Sequence, residues 1–284
     1  QIATNASSRL SFTFRAGSAG GVATIGVSSG LAASGNTQIS MGSLTILSIS
    51  TTPEFVSRGQ SGAAVSMTIQ NLAASPVTNL GGQLTFTGTA DRTGEYTVTP
   101  SAGNPTTVSG SSTATLTFLV DVSATATLET VTINGSIAGD IGGSQVSSVG
   151  AATPDNWTVQ RAAAVSLSSV TTAADTVSQG QQNLTIIVQA ANNLGQSNVA
   201  DAVVDSVRLI FRQGPVNKNA EYIVAANPAN PTIITGNSTA TFSFTVNVGL
   251  TATPGATAID AEIYARDANS STPLIDLNAT TPDS

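Results

Sequence analysis

One stretch of this chain occurs twice. Residues 95–122 read EYTVTPSAGNPTTVSGSSTATLTFLVDV and residues 221–248 read EYIVAANPANPTIITGNSTATFSFTVNV, with 14 of 28 positions identical at a shift of 126 and no gap. A duplicated block of alternating apolar and polar residues limits the chain to a tandem arrangement of one supersecondary unit. The repeat extends in both directions. Val56-Ser57-Arg58-Gly59-Gln60 recurs as Val177-Ser178-Gln179-Gly180-Gln181, at a shift of 121. Ala63, Val65, Met67 and Ile69 recur as Leu184, Ile186, Val188 and Ala190. The shift grows from 121 to 126, so about five residues are inserted between Asn193 and Glu221, in the 196–202 loop or the 213–218 turn.

The expected fold class is all-β: tandem immunoglobulin-like antiparallel β-sandwiches preceded by an incomplete N-terminal strand segment. Each unit carries six or more short alternating strands separated by Gly, Pro, Asn and Ser turns. The expected boundaries are a partial module at 1–43, a sandwich at 44–152, a linker at 153–164 and a second sandwich at 165–284. Units of ~120 residues bury about two-thirds of their unfolded surface, enough for a core without staples. In the partial module, Leu10, Phe12 and Phe14 alternate and match Leu116, Phe118 and Val120, and Phe242, Phe244 and Val246. A glycine-rich turn (17–21) and a second alternating strand (22–27) follow. Two strands alone are marginal in water. Leu10, Phe12 and Phe14 are therefore the expected anchors for strand completion, with missing upstream chain or with another subunit.

Ala152-Thr153-Pro154-Asp155 recurs as Thr280-Thr281-Pro282-Asp283. Trp157, the single tryptophan, follows the first occurrence, inside the expected linker, and is expected to pack between the sandwiches. The chain opens on Gln rather than Met, which reads as a processed or excised segment of a longer precursor.

Composition excludes much chemistry. There is no Cys and no His, so thiolate catalysis and the usual general base are absent. No serine has a base motif beside it, and the glycine-rich turns have no helix to follow, so neither nucleophilic catalysis nor phosphate cradling is expected. The chain is not expected to be an enzyme. Nine basic residues against 16 acidic ones give a net charge of −7, which is no nucleic-acid footprint. No apolar run reaches the ~20 residues of a membrane helix. No cofactor is expected. Calcium is the one cation with ligands to consider, at Asp260 and Glu262, at Asp201 and Asp205, or at Asp155, and none of these sits in a calcium-loop motif. The bland reading of Asp260, Glu262, Tyr264 and Arg266 is an exposed strand face. Glu95-Tyr96 and Glu221-Tyr222, each with a base three residues before the Glu, read as a structural pair: the ring is buried and the hydroxyl finds a backbone partner.

Seven N-x-[ST] sequons are candidate glycan acceptors, at Asn5, Asn134, Asn156, Asn183, Asn237, Asn269 and Asn278. About five would arise by chance from 19 Asn in a chain with 76 Ser and Thr. Asn237 and Asn269 are expected to be the most accessible.

The V-x-x-G-Q segment leading into an alternating strand that ends in Asn (residues 56–71 and 177–192) resembles immunoglobulin-like modules of prokaryotic cell-surface proteins, of the CARDB and NEW3 types. The resemblance implies an extracellular sandwich used for spacing, adhesion or assembly, and no fixed chemistry. The expected function is a structural subunit of an extracellular filament or surface layer, with copies of itself as partners. An adhesin or stalk spacer is the alternative. A carbohydrate-binding accessory module ranks last, since aromatic content is only 4%.

Overall fold

In a computed structural model, backbone is described for residues 21–29, 32–41 and 44–284, and side chains for 44–284. All regular elements among these are strands, apart from two single-turn 3-10 helices. No helix among them is long and apolar enough to cross a membrane.

β1 (Gly21–Ser29) and β2 (Ala32–Met41) form a two-stranded antiparallel sheet. The hairpin thus pairs 21–29 with 32–41. Leu10, Phe12 and Phe14, expected to form its other strand, lie outside the described residues, as does Asn5.

The first packed unit follows. β3 (Leu44–Thr51), β4 (Phe55–Ser57), β5 (Ala63–Asn71), β6 (Thr78–Thr87), β7 (Tyr96–Pro100), β8 (Thr113–Val122), β9 (Thr130–Ile141), β10 (Ser144–Val149), β11 (Ala151–Thr153) and β12 (Asp155–Gln160) build two five-stranded sheets. One has the order β11-β3-β5-β8-β7. The other runs β10-β9-β12-β4, with β6 on the far side of β9. In β5 the inward set Ala63, Val65, Met67, Ile69 alternates with Ala64, Ser66, Thr68 and Gln70, and every inward residue is buried. The two inner faces share one core, from Leu44 and Ile46 to Trp157 and Val159, giving a β-sandwich-like unit.

The second unit has its own core, from Ala163 to Ala279. β13 (Val165–Thr172), β14 (Leu184–Asn192), β15 (Ala202–Gln213), β16 (Val216–Asn217), β17 (Tyr222–Ala226), β18 (Ile233–Ile234), β19 (Ser238–Val248), β20 (Ala258–Asp267) and β21 (Pro273–Asp276) form sheets β13-β14-β19-β17 and β16-β15-β20-β21. The repeat extends to single contacts. Gly110 and Gly236 occupy equivalent turns, where an added Cβ would meet the carbonyl oxygen of Ala74 at 1.8 Å and of Val199 at 2.1 Å. Only glycine lets those backbones approach so closely.

Two expectations need correction. Residues 153–164 are not a linker: 155–160 form β12, inside the first unit, and the connection shrinks to 161–164. Trp157 therefore does not pack between the units. It is 0% exposed within the first core.

The connection is gripped on two sides. Val77 pairs with Val108, and Ala202 with Ile234, so four of the five inserted residues fall between Asn192 and Ala202. That longer loop holds the connection: Arg161 N donates to Asn198 O (2.8 Å), Ala200 N to Arg161 O (2.9 Å) and Asn193 Nδ2 to Ala162 O (2.8 Å). On the other side the β20–β21 turn meets the first unit. Asp267, fully buried, accepts from Ser57 Oγ (2.9 Å), Ala163 N (2.7 Å), Ser270 N (2.8 Å) and Asn269 N (3.0 Å). Asn269 Nδ2 donates to Gln160 Oε1 (2.9 Å).

Candidate functional site

The two units differ at one end, where the first is closed by an aromatic stack. Phe86 on β6 and Tyr96 on β7 lie parallel, with centroids 4.1 Å apart, and Trp157 on β12 sits 5.7 Å from each. Strand pairing brings Trp157 there. β12 runs antiparallel to β9, with Asp155 opposite Ile133 and Trp157 opposite Val131. It runs parallel to β4, with Val159 opposite Val56. Val159 N donates to Glu129 O (3.0 Å), Thr158 N to Glu54 O (2.9 Å), and Arg58 N to Gln160 O (2.9 Å). Alternation along Asn-Trp-Thr-Val-Gln turns Trp157 and Val159 inward, both 0% exposed. The Asp155 carboxylate starts the strand by accepting from Thr51 N (2.7 Å) and Thr51 Oγ1 (3.1 Å). Burial pushes the Tyr96 hydroxyl above its usual range. Tyr96 Oη finds no partner, against expectation, and neither does Trp157 Nε1.

The second unit repeats this arrangement up to the third ring. Phe211 and Tyr222 stack at 4.1 Å and 11°. Asp283 repeats Asp155: it exchanges backbone hydrogen bonds with Ile259 (2.8 and 2.9 Å), and its carboxylate accepts from Thr172 N. Thr281 bridges Ser169 in parallel, as Thr153 bridges Ser48. At the position that residues 156–160 take in the first unit lies a groove of about 830 Å³, lined by Val177, Ile186, Phe211, Tyr222, Val248, Ile259 and Ser284 among others. Val56 under β12 is 0% exposed, whereas its counterpart Val177 is 40% exposed. Residues 176–178, the counterpart of β4, form no strand. The groove presents the Phe211 and Tyr222 rings among apolar and polar side chains.

The recurring Glu-Tyr pair stands beside this site. Glu221 accepts from Thr253 N (2.7 Å), Thr253 Oγ1 (2.9 Å) and Lys218 Nζ (2.8 Å), tying down the 249–253 loop that borders the groove. The Lys218 ammonium, followed by the Thr253 amide, lowers its pKa to about 2. In the first unit Glu95 accepts from Thr127 N (2.7 Å) and Thr127 Oγ1 (2.9 Å). The pair is a loop clip.

Of the calcium candidates, Asp260 caps backbone amides of Ala261 (2.8 Å) and Ala279 (2.7 Å), Asp201 that of Gly236 (2.9 Å), and Asp205 pairs with Arg266 (3.2 Å). Glu262 accepts from Tyr264 Oη (3.1 Å). Among the described residues, no three His, Cys, Asp or Glu side chains group as a metal site. Of the sequons, Asn156, Asn183, Asn237 and Asn278 are exposed, and Asn134 is half-buried on β9. Asn269, expected to be accessible, is not: its Nδ2, the atom that would carry a glycan, is bonded to Gln160 and Ser57 at the joint.

No protein-family model matches this sequence, and no curated protein matches it. Solved structures give weak likenesses. A protein of unknown function from Porphyromonas gingivalis W83 is 9% identical, covering 83% of this chain and 100% of that one at a TM-score of 0.28. The E. coli chaperone DraB is 10% identical, covering 84% and 96% at 0.24. The Pseudomonas aeruginosa CupB2 chaperone is 11% identical, covering 80% and 97% at 0.23. At these scores the likenesses carry no argument about this chain.

Proposed function

We propose that this chain is a structural subunit of an extracellular prokaryotic filament or surface layer, built of tandem immunoglobulin-like sandwiches that join copy to copy by strand donation. One observation supports the reading: the second unit presents a ring-lined groove at the position that β12 fills in the first. Adding a strand to an open sheet supplies main-chain hydrogen bonds for continuity and alternate side chains for register. A contact of this kind is head-to-tail and generates an open fibre when its rotation does not close. The exposed asparagine sequons and the Ser/Thr-rich surface fit a secreted, glycan-bearing protein.

A stalk or adhesin spacer is the second reading, favoured by the joint at Asp267 and Asn269, which fixes one unit against the next. The carbohydrate-binding reading loses its platform, because Trp157 is inside the core. Electron microscopy and light scattering of the purified chain separate the first two. Ordered polymers that vanish on Val177→Asp, in a chain still folded, are the expected result. A monomer at all concentrations favours the spacer and overturns the assembly reading.

A further inference from the structure

Resting on the assembly reading above, though not on the groove, we infer a contact between copies: the outer face of β6, β9 and β10 in one copy receives the outer face of β15, β20 and β21 in another. The two faces are counterparts that differ in side-chain size. In the first unit Ala138 on β9 has Gly81 opposite it on β6 and Ser147 opposite it on β10. Their strand neighbour Ile137 is buried in the core, so alternation turns these three outward. They line a shallow trough of about 440 Å³, with Gln83 and Val149 beside them. Val149 is 83% exposed. In the second unit the same three positions hold Tyr264, Ser206 and Ile275, and the trough becomes a ridge. Tyr264 Oη donates to Glu262 (3.1 Å), and Arg208 lies over the ring, 5.4 Å from its centroid. The ring is thus held in place before a partner arrives, which lowers the entropy lost on docking. Ile275 beside it is 58% exposed. An aromatic and an aliphatic residue facing outward together suit the anchor of an interface.

Strand register fixes how the faces meet. Packed sheets keep their strand directions within about 30° of one another, which leaves two ways to set Tyr264 over Ala138. With β20 parallel to the neighbour's β9, Ile275 lies over Gly81, Ser206 over Ser147, Glu262 over Ser136 and Arg266 over Asp140. The two largest apolar side chains then meet the two smallest residues, and the acid meets a base. With β20 antiparallel, Glu262 lies over Asp140 and like charges oppose each other. Charge therefore selects the parallel arrangement. Among the described residues Asp140 pairs with no base, and Arg266, already beside Asp205, has donors to spare. Each copy carries one trough and one ridge, so the contact is head-to-tail and repeats from copy to copy.

The chain has no cysteine, so single thiols can be placed freely. Full-length Ser147→Cys is mixed with full-length Ser206→Cys under a short thiol–thiol cross-linker. Gly81→Cys with Ser206→Cys serves as the control for the antiparallel arrangement, and a Cβ added at Gly81 meets nothing within 4 Å. The expected result is a 147–206 link between different copies that exceeds the 81–206 link. Ala138→Arg fills the trough and should lower the yield roughly thirtyfold, as for a lost anchor. Tyr264→Ser, on the opposing face, should do the same. Circular dichroism should show both variants folded. Polymers that form with the 81–206 link dominant, or with neither link, overturn this contact while leaving assembly intact. A 147–206 link that survives both Ala138→Arg and Tyr264→Ser overturns it too, as does one formed at high dilution within a single chain carrying both cysteines. The 147–206 link in discrete pairs without polymers upholds the contact and overturns the filament. Absence of both links and of any polymer overturns the contact and the assembly reading together.

Discussion

Asn71 and Asn192 end matching strands, and both side chains are fully buried. Each amide replaces backbone pairing that the turn cannot supply. Asn71 Nδ2 donates to Ser75 O (2.9 Å) and Ser109 O (3.0 Å), and its Oδ1 accepts from Ala73 N (3.0 Å). Asn192 bonds Ala200 O (2.9 Å), Ile234 O (3.0 Å) and Ala164 N (3.0 Å). Asn192→Leu leaves these groups buried without partners, and urea unfolding should show a loss of about 3 kcal/mol. Glu221 gives a pH signature. Its folded pKa, about 2, lies below the ordinary carboxylate value. Its contribution is therefore complete above the unfolded value near 4.5 and disappears as pH falls toward 2. Melting of the second unit should weaken across that window, and Glu221→Gln should flatten the response there while lowering stability at neutral pH. Tyr96 shows where a residue-level rule fails. Its ring was legible as core, but its hydroxyl is buried beside the Phe86 and Trp157 rings without a hydrogen-bond partner.

At the scale of elements, β12 decides the difference between the units. Trp157→Ala removes the third ring and opens a cavity beside Phe86 and Tyr96, so the first unit should lose about 3–5 kcal/mol in chemical denaturation. Its groove should then resemble that of the second unit. Much of the strand set was readable. The inward residues of β5 and β14, the Asn-Pro turns and the duplicated β8 and β19 all follow from alternation and turn chemistry. β12 is not readable, because six residues with two apolar ones follow a proline and carry almost no periodic signal. β11 is three residues long and pairs in parallel with β3, a contact set by tertiary packing and invisible in local sequence. The candidate site was not legible in the sequence, because the groove is lined by residues of β14, β15, β17, β19 and β20 that only the tertiary fold brings together.

For the molecule as a whole, the joint sets the shape. Asp267 receives donors from both units and from the connection between them, and the four-residue insertion after Asn192 grips that connection from the other side. Asp267→Ala deprives several buried donors of their acceptor. Small-angle scattering should show a broader distribution of angles between the units, with a loss of about 2–4 kcal/mol at the joint. The cores remain separate, so each unit should keep its own strand content.

The burial of Trp157 also has an optical consequence. The sole indole of the chain is enclosed by Phe86, Tyr96 and the first core, while the second unit holds none. Intrinsic tryptophan fluorescence thus reports on one unit and is silent on the other. Set beside a whole-chain probe such as amide absorbance, it would register the first unit's melting alone, and any gap between the two curves would measure how far the units unfold independently.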